Sequence, residues 1–230
     1  MNKLVKLTFG ILFLCGTFMS TQAQKMLKEG KMVFEITEAR ADDAQMNTQV
    51  QMAKGSMTTI YFTEKQQRMD MNMMGGMINM KTINNPDKSS TMLMDMMGQK
   101  IKVNVSKEEL EKATPEMEYD VTVDESDTKD ILGYKCVKHV IKMKGGADME
   151  MIAYVSKDIK TSKSVIDQAK GLKLDGTPLE YTISNMGMHI TTIAKEISAD
   201  LEKDVFSPST EGYKEMTMEE FQSMTGGGGF

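Results

Sequence analysis

The chain has 230 residues, a formal charge of −5, 40% hydrophobic and 27% charged residues, 26 Met and no Trp. That balance fits a soluble globular body of about one domain, and its acidity argues against a nucleic-acid partner, whose phosphates select basic surfaces. With aromatics at only 6%, the interior has to be filled by flexible thioethers more than by rigid rings.

Residues 1–23 read as a secretory signal peptide. Lys3 and Lys6 give the basic start, Leu7 to Met19 is an apolar run too short to span a bilayer, and Thr21-Gln22-Ala23 is a small-x-Ala cleavage site. Cys15 follows Phe13-Leu14 rather than the small residues a lipoprotein signal needs, so lipid attachment there is not expected. Cleavage removes two lysines and no acid, moving the formal charge from −5 to −7. The mature chain keeps Cys136 alone, so it has no internal disulfide, and this thiol reads as a small buried hydrophobe.

In chain order, Lys31 to Glu38 alternates as a first strand with Met32, Phe34 and Ile36 inward. Residues 39–55 are weakly patterned and read as a long loop or a partly paired strand. Ser56 to Glu64 and Gln66 to Met73 are strands. The sequence Met69-Asp70-Met71-Asn72-Met73-Met74-Gly75 then returns as Met92-Leu93-Met94-Asp95-Met96-Met97-Gly98, with Met77 to Ile83 between the copies. Alternate residues of a strand share a face. The pattern predicts a three-strand antiparallel meander with thioethers on one side and Asp70, Asn72 and Asp95 on the wet side, turning at the Gly pairs and at Asn84 to Asp87.

Lys100 to Val105 continues the sheet. Ser106-Lys107-Glu108-Glu109 is a capping box opening a helix to about Ala113, stopped at Thr114-Pro115. Met117 to Asp124, Tyr134 to Met143 and Asp148 to Val155 are strands, the last two joined at Gly145-Gly146. The acidic run from Asp124 to Asp130 reads as a solvated turn. It lacks the Gly and the terminal acid of a calcium loop. Ser162 to Lys170 reads as a short helix ended by Gly171. Leu172 to Leu174, Pro178 to Ser184 and Met188 to Ile197 are further strands. Thr217 to Phe221 opens a second capped helix through Met224, and residues 226–230 form a flexible Gly-rich tail. The residues between leader and tail, 24–225, make one domain: many short strands and few helices, an antiparallel sheet curled on itself.

Several segments carry a family resemblance. The Met-x-Met hairpins, Asp130-Ile131-Leu132-Gly133-Tyr134-Lys135-Cys136, Gly176-Thr177-Pro178-Leu179-Glu180-Tyr181 and the ending from Tyr213 to Phe221 resemble a secreted family of the Bacteroidota, domain of unknown function 4412. The resemblance implies a mainly β (α+β) fold of the LolA and LppX lipoprotein-carrier type: an open half-barrel formed by one curved antiparallel sheet, with a few short helices over its concave side. It also implies an apolar ligand. It transfers no catalytic residue.

Three roles fit the methionines. They can be the buried face of a sheet poor in aromatics. They can line an apolar groove, with Met69, Met71, Met73, Met80, Met92, Met94 and Met96 holding an acyl chain, lipid or lipidated peptide at about 0.8 kcal/mol per buried methylene. Or thioethers can bind a soft ion such as Cu(I), with Met186, Met188 and His189 as the donor set. Enzyme signatures are missing: there is no His-Glu-x-x-His, Gly-x-Ser-x-Gly or phosphate loop, and His139 and His189 each sit singly in strand-like runs. The expectation is a noncatalytic exported protein of the periplasm or cell exterior, without cofactor, carrying an apolar ligand on its methionine face. After signal cleavage it is not transmembrane and meets the envelope only peripherally. Soft-metal binding and a purely structural envelope role stay open at this point.

Overall fold

The computed structural model describes residues 25–114, 116–144, 149–164, 166 and 169–224. The expected leader, the Pro115 helix stop, the Gly145-Gly146 turn and the Gly-rich tail lie outside them.

In chain order the elements are β1 (Lys25–Leu27), β2 (Gly30–Ala41), α1 (Ala44–Val50), β3 (Met57–Phe62), β4 (Gln67–Met73), β5 (Ile78–Asn84), β6 (Ser90–Met96), β7 (Gln99–Val105), α2 (Lys107–Ala113), β8 (Tyr119–Ile131), β9 (Tyr134–Met143), β10 (Met149–Ser156), β11 (Ile159–Thr161), β12 (Thr177–Asn185), β13 (Met188–Ser198), β14 (Lys214–Met216) and α3 (Met218–Met224). Twelve strands form one sheet in the order β14-β7-β6-β5-β4-β3-β2-β13-β12-β10-β9-β8. The two ends of that order do not pair, so the sheet is open. Its neighbours are antiparallel except for β14, which joins β7 in parallel. The expected all-antiparallel sheet is therefore mixed at one edge. A separate parallel pair, β1 with β11, was not foreshadowed by any alternation.

Turn chemistry sets the register of three strand pairs, β6 with β7, β8 with β9 and β12 with β13. Three two-residue hairpins, Met97-Gly98, Leu132-Gly133 and Met186-Gly187, have positive φ at both positions, the type I′ geometry whose twist matches paired strands. Gly is at ease in the second position, while an apolar residue in the first accepts some steric strain. Both capping boxes form. The Ser106 hydroxyl accepts from Glu109 N while the Glu109 carboxylate accepts from Ser106 N. Thr217 and Glu220 repeat the exchange at α3.

Four sequence expectations need correction. Residues 39–55 are neither a loop nor a paired strand throughout. β2 runs to Ala41, and the Asp43 side chain accepts from Met46 N to cap α1, which has no buried residue and hence no apolar stripe to reveal it. The acidic stretch after Asp124 is not a turn but the second half of β8. A bulge between Asp124 and Thr128 swings Asp127 out of register, where it accepts from Lys138 Nζ (2.9 Å) and from Tyr154 Oη (3.0 Å). The described residues of 162–170 form bends and a turn, not a helix, and 172–174 pair with no strand. Leu172 and Leu174 instead pack on Ile141, Ala153 and Val155.

Candidate functional site

Paired residues of neighbouring strands share a face, so the register fixes where each methionine lies. One row across the sheet reads Met32, Ile60, Met69, Thr82, Met92, Val103, Met216. The next reads Thr58, Met71, Met80, Met94, Ile101, and a third Met73, Ile78, Met96. All seven methionines singled out from the sequence thus occupy one face of β4, β5 and β6. Neighbouring strands lie about 4.8 Å apart, which brings Met71, Met80 and Met94 side by side.

Burial across this face is graded. Met80 and Met94 are buried, at 7% and 2% exposure, while Met69, Met71, Met73, Met92 and Met96 are half-buried. What covers them is short. Phe221 of α3 joins Met80, Met94, Ile101, Val103 and Val105 in one buried cluster, with Met218, Met216 and Leu110 of α2 packed at its margin. Phe221 is the buried residue of its helix. Sequence reasoning found both helices through their capping boxes, and only the family resemblance implied that short helices cover this face. The apolar spacing of Met218 and Phe221 behind the second box was the available signal.

The opposite face is not uniformly wet. Asp70, Asn72 and Asp95 lie there as expected, but so do Ile83 and Leu93, exposed by only 3% and 1%. The chain after β13 returns over this side. Arg68, itself buried, donates twice to the Asp70 carboxylate (2.6 and 2.5 Å) and also to the Val205 carbonyl, and its guanidinium lies 5.4 Å from the Tyr61 ring centroid. An Arg so placed satisfies a polar strap on an otherwise apolar patch. The sequence offered no sign of it, because the partners are 137 residues apart.

The other candidates separate. Met188 faces the methionine side and His189 the opposite one, as adjacent strand residues must. His189 Nδ1 hydrogen-bonds Ser184 Oγ at 2.8 Å, and its Nε2 lies 3.7 Å from Asp42 Oδ1. Met186 stands at the turn, 77% exposed. The structure does not bring Met186, Met188 and His189 together as a donor set. Among the described residues there is no group of three or more His, Cys, Asp or Glu placed to hold an ion. His139 is buried with Nδ1 3.0 Å from the Val137 carbonyl. Cys136 is fully buried, and that burial pushes its thiol up to about 12, far from the thiolate a nucleophile needs.

Among the described residues, two open depressions stand out. One, of ≈ 730 Å³, is bordered by Met26, Leu27, Thr63, Gln66, Pro86 and Ala199 among others. The second, of ≈ 470 Å³, lies within the 160–176 segment and is bordered by Lys160, Lys163, Lys170 and Lys173. Neither is lined by the seven methionines. No helix among the described residues is long and apolar enough to cross a membrane.

Among solved structures, the chain is similar to an uncharacterized conserved protein from Thermus thermophilus (11% identity, TM-score 0.49, covering 83% of this chain and 91% of that one). It is also similar to the lipoprotein LppX from Mycobacterium tuberculosis (7%, 0.41, 76% and 89%) and to a LolA superfamily protein from Nitrosomonas europaea (6%, 0.35, 79% and 91%). No curated protein matches the sequence. The sequence model of domain of unknown function 4412 matches residues 43–193, a span from α1 to the middle of β13 that takes in the whole methionine meander. The chain belongs to the domain-of-unknown-function 4412 family.

Proposed function

We propose that this is an exported, noncatalytic protein that binds an apolar ligand, a lipid, acyl chain or lipidated peptide, on the methionine face of β4, β5 and β6. One observation carries the reading: seven thioethers stand in three adjacent rows on a single face, five of them half-buried, under cover supplied by seven-residue helices. A sheet that needed only a core would gain more from branched residues that hold one rotamer. Unbranched thioethers repack around varied shapes at little cost. Entry requires α3 to lift, because Phe221 shares a buried cluster with Met80 and Met94. Binding rather than catalysis is favoured by the engaged rings of His139 and His189 and by the suppressed thiol of Cys136.

The test is extraction and native mass spectrometry of protein purified from the exporting cell, together with titration of decanol as a neutral alkyl probe. Wild type should carry extractable lipid and bind the probe. Met71→Glu with Met92→Glu should abolish both, whereas Thr91→Glu, on the opposite face, should leave both intact. Protein free of lipid that also ignores decanol would refute the reading.

A further inference from the structure

β2 runs from Gly30 to Ala41, and the strand registers carry those two ends across the sheet. Four connections fall side by side at the Ala41 end: 97–98 (β6 to β7), 74–77 (β4 to β5), 42–56 (β2 to β3, with α1) and 186–187 (β12 to β13). Neighbouring connections touch. Met97 N donates to the Met77 carbonyl at 3.0 Å, and Asp42 N to that of Gly187 at 2.9 Å. Each connection lifts methionine into solvent: Met97 (84% exposed), Met77, Met46 with Met52, and Met186.

Charge separates the two ends. Residues 44–53, 71–80, 96–99 and 181–194 contain no Asp, Glu, Lys or Arg, in a chain where these make up 27%. The carboxylates beside them are engaged: Asp43 accepts from Met46 N, Asp95 from Gly98 N, and Asp42 Oδ1 lies 3.6 Å from Arg40 Nη1. Connections at the Gly30 end instead carry Lys28, Glu29, Glu64, Lys65, Asp87 and Lys88. The turns themselves do not ask for thioethers. Met97 and Met186 hold the first position of type I′ turns at φ +53° and +49°, where Asn fits with less strain. Leu132 holds the same position at the Gly30 end, so the turn type alone does not set this rim apart. The run of four adjacent uncharged, methionine-tipped connections does.

We propose that this rim docks on a lipid bilayer, its methionine tips entering the interfacial layer where an apolar ligand passes between membrane and sheet. Three observations select that occupant. A surface without charges gives up little hydration on entering a low-dielectric layer. Flexible tips on four separate connections suit a fluid layer that has no fixed shape. The rim is also continuous with the ligand face: Met73 and Met96 close the third methionine row immediately before Met74 and Met97. At the Gly30 end that face is filled by Met32, Ile60 and Phe62, buried in one cluster with Leu27 and Ile159. An acidic chain is repelled by anionic lipid, so apolar insertion into a zwitterionic layer is the mode. The inference rests on the apolar-ligand reading for the direction of approach and adds the surface through which exchange occurs.

Flotation of the mature chain with phosphatidylcholine vesicles tests it, run beside the decanol titration. Wild type should float with the vesicles equally at about 0.1 M and about 1 M salt, because screening leaves apolar insertion intact. Met97→Asn with Met186→Asn should lower the partition coefficient about tenfold or more. Tm should not fall, since Asn-Gly is the favoured type I′ pair, and decanol binding should stay unchanged. Leu132→Asn, the same exchange at the opposite end, should leave flotation unchanged. Wild type that does not float, flotation lost at high salt, or equal flotation of wild type and the double variant would overturn the docking surface. Self-association without flotation, lost in the double variant, would overturn it too and make the rim an interface between copies. Decanol binding retained in any of these cases spares the apolar face, whereas flotation without decanol binding keeps the rim and refutes the groove.

Discussion

Phe221→Ala is the substitution that most directly questions the methionine face. Phe221 is 3% exposed and shares one buried cluster with Met80, Met94, Ile101, Val103 and Val105. In a sheet core such a truncation costs about 3–5 kcal/mol. Here the loss should be smaller, because α3 is seven residues long, with Phe221 its buried anchor, and can detach without opening the sheet. Burying one Phe against leaving it exposed is worth about 1.5–3 kcal/mol, which sets the scale of what Phe221 adds to the docking of α3. Losing about 2 kcal/mol raises the detached fraction roughly thirtyfold, since 1.4 kcal/mol is a factor of ten. If entry requires detachment, apparent affinity for an alkyl probe should rise by up to that factor, until the detached form dominates. The assay pairs decanol titration with hydrogen exchange of residues 217–224. Faster exchange confined to that stretch, with tighter probe binding and a melting point lowered by only a few degrees, is the expected outcome. A drop in cooperative stability of the whole sheet with no gain in probe affinity would show that Phe221 is core and that the face beneath it is closed for good.

Three further outcomes follow from the same geometry. Thr217→Ala removes the hydroxyl half of the α3 capping box and should cost about 1 kcal/mol, loosening α3 in the same sense as Phe221→Ala but more weakly; Ser106→Ala should destabilise α2 by a similar amount, both read from exchange rates of the two helices. The Cys136 thiol, pushed up to about 12 by burial, should resist iodoacetamide at pH 8 in the native state and react only once urea unfolds the sheet, so native-state labelling would refute its placement. Asp127 is held below its usual range by hydrogen bonds from Lys138 and Tyr154, Glu109 by those from Ser106, and Glu215 by that from Lys102. Lowered folded-state values add stability above the unfolded carboxylate range, near 4, and lose it as pH falls through the folded values. Urea midpoints should therefore be flat near neutrality and fall below about pH 4.

Much of the fold was legible because the sequence speaks in two clear periods. Tyr134 to Met143, rich in β-branched and apolar residues, reads as a strand and is β9 to the residue. Ser106 and Glu109 announce α2 to the residue, since a hydroxyl and a carboxylate three apart can satisfy each other's orphan amides. Where the signal was local chemistry without burial, it failed. α1 has a cap but no apolar stripe. The second half of β8 is exposed and acidic, and it is held in the sheet by Lys138 and Tyr154 from neighbouring strands. The parallel pairings of β1 and β14 involve three residues each, too few to show a period. For the site, strand alternation was enough to place the seven methionines on one face. The cover from Phe221 and the strap through Arg68 and Val205 join residues distant in sequence, and no local pattern encodes them.

The doubled Met-x-Met-x-Met-Met-Gly sequence has a consequence that follows from parity alone. Each copy ends a strand with its last alternate methionine, Met73 or Met96, and then spends the next residue, Met74 or Met97, in the left-handed region ahead of Gly. The strand methionines and the turn methionines therefore serve different ends, although they look alike in sequence. The first keep their side through the register Met71, Met80, Met94. The second hold φ near +53°, where a flexible unbranched side chain is tolerated better than a β-branched one. A two-residue turn between β6 and β7 places Gln99 opposite Met96 and Ile101 opposite Met94. A turn longer by one residue would carry the opposite set of β7 side chains, Lys100 and Lys102, onto the thioether face. The apolar face is thus secured by the length of the turn as much as by the methionines on it, and this is why a repeat that seems to be about sulfur is equally about where the chain reverses.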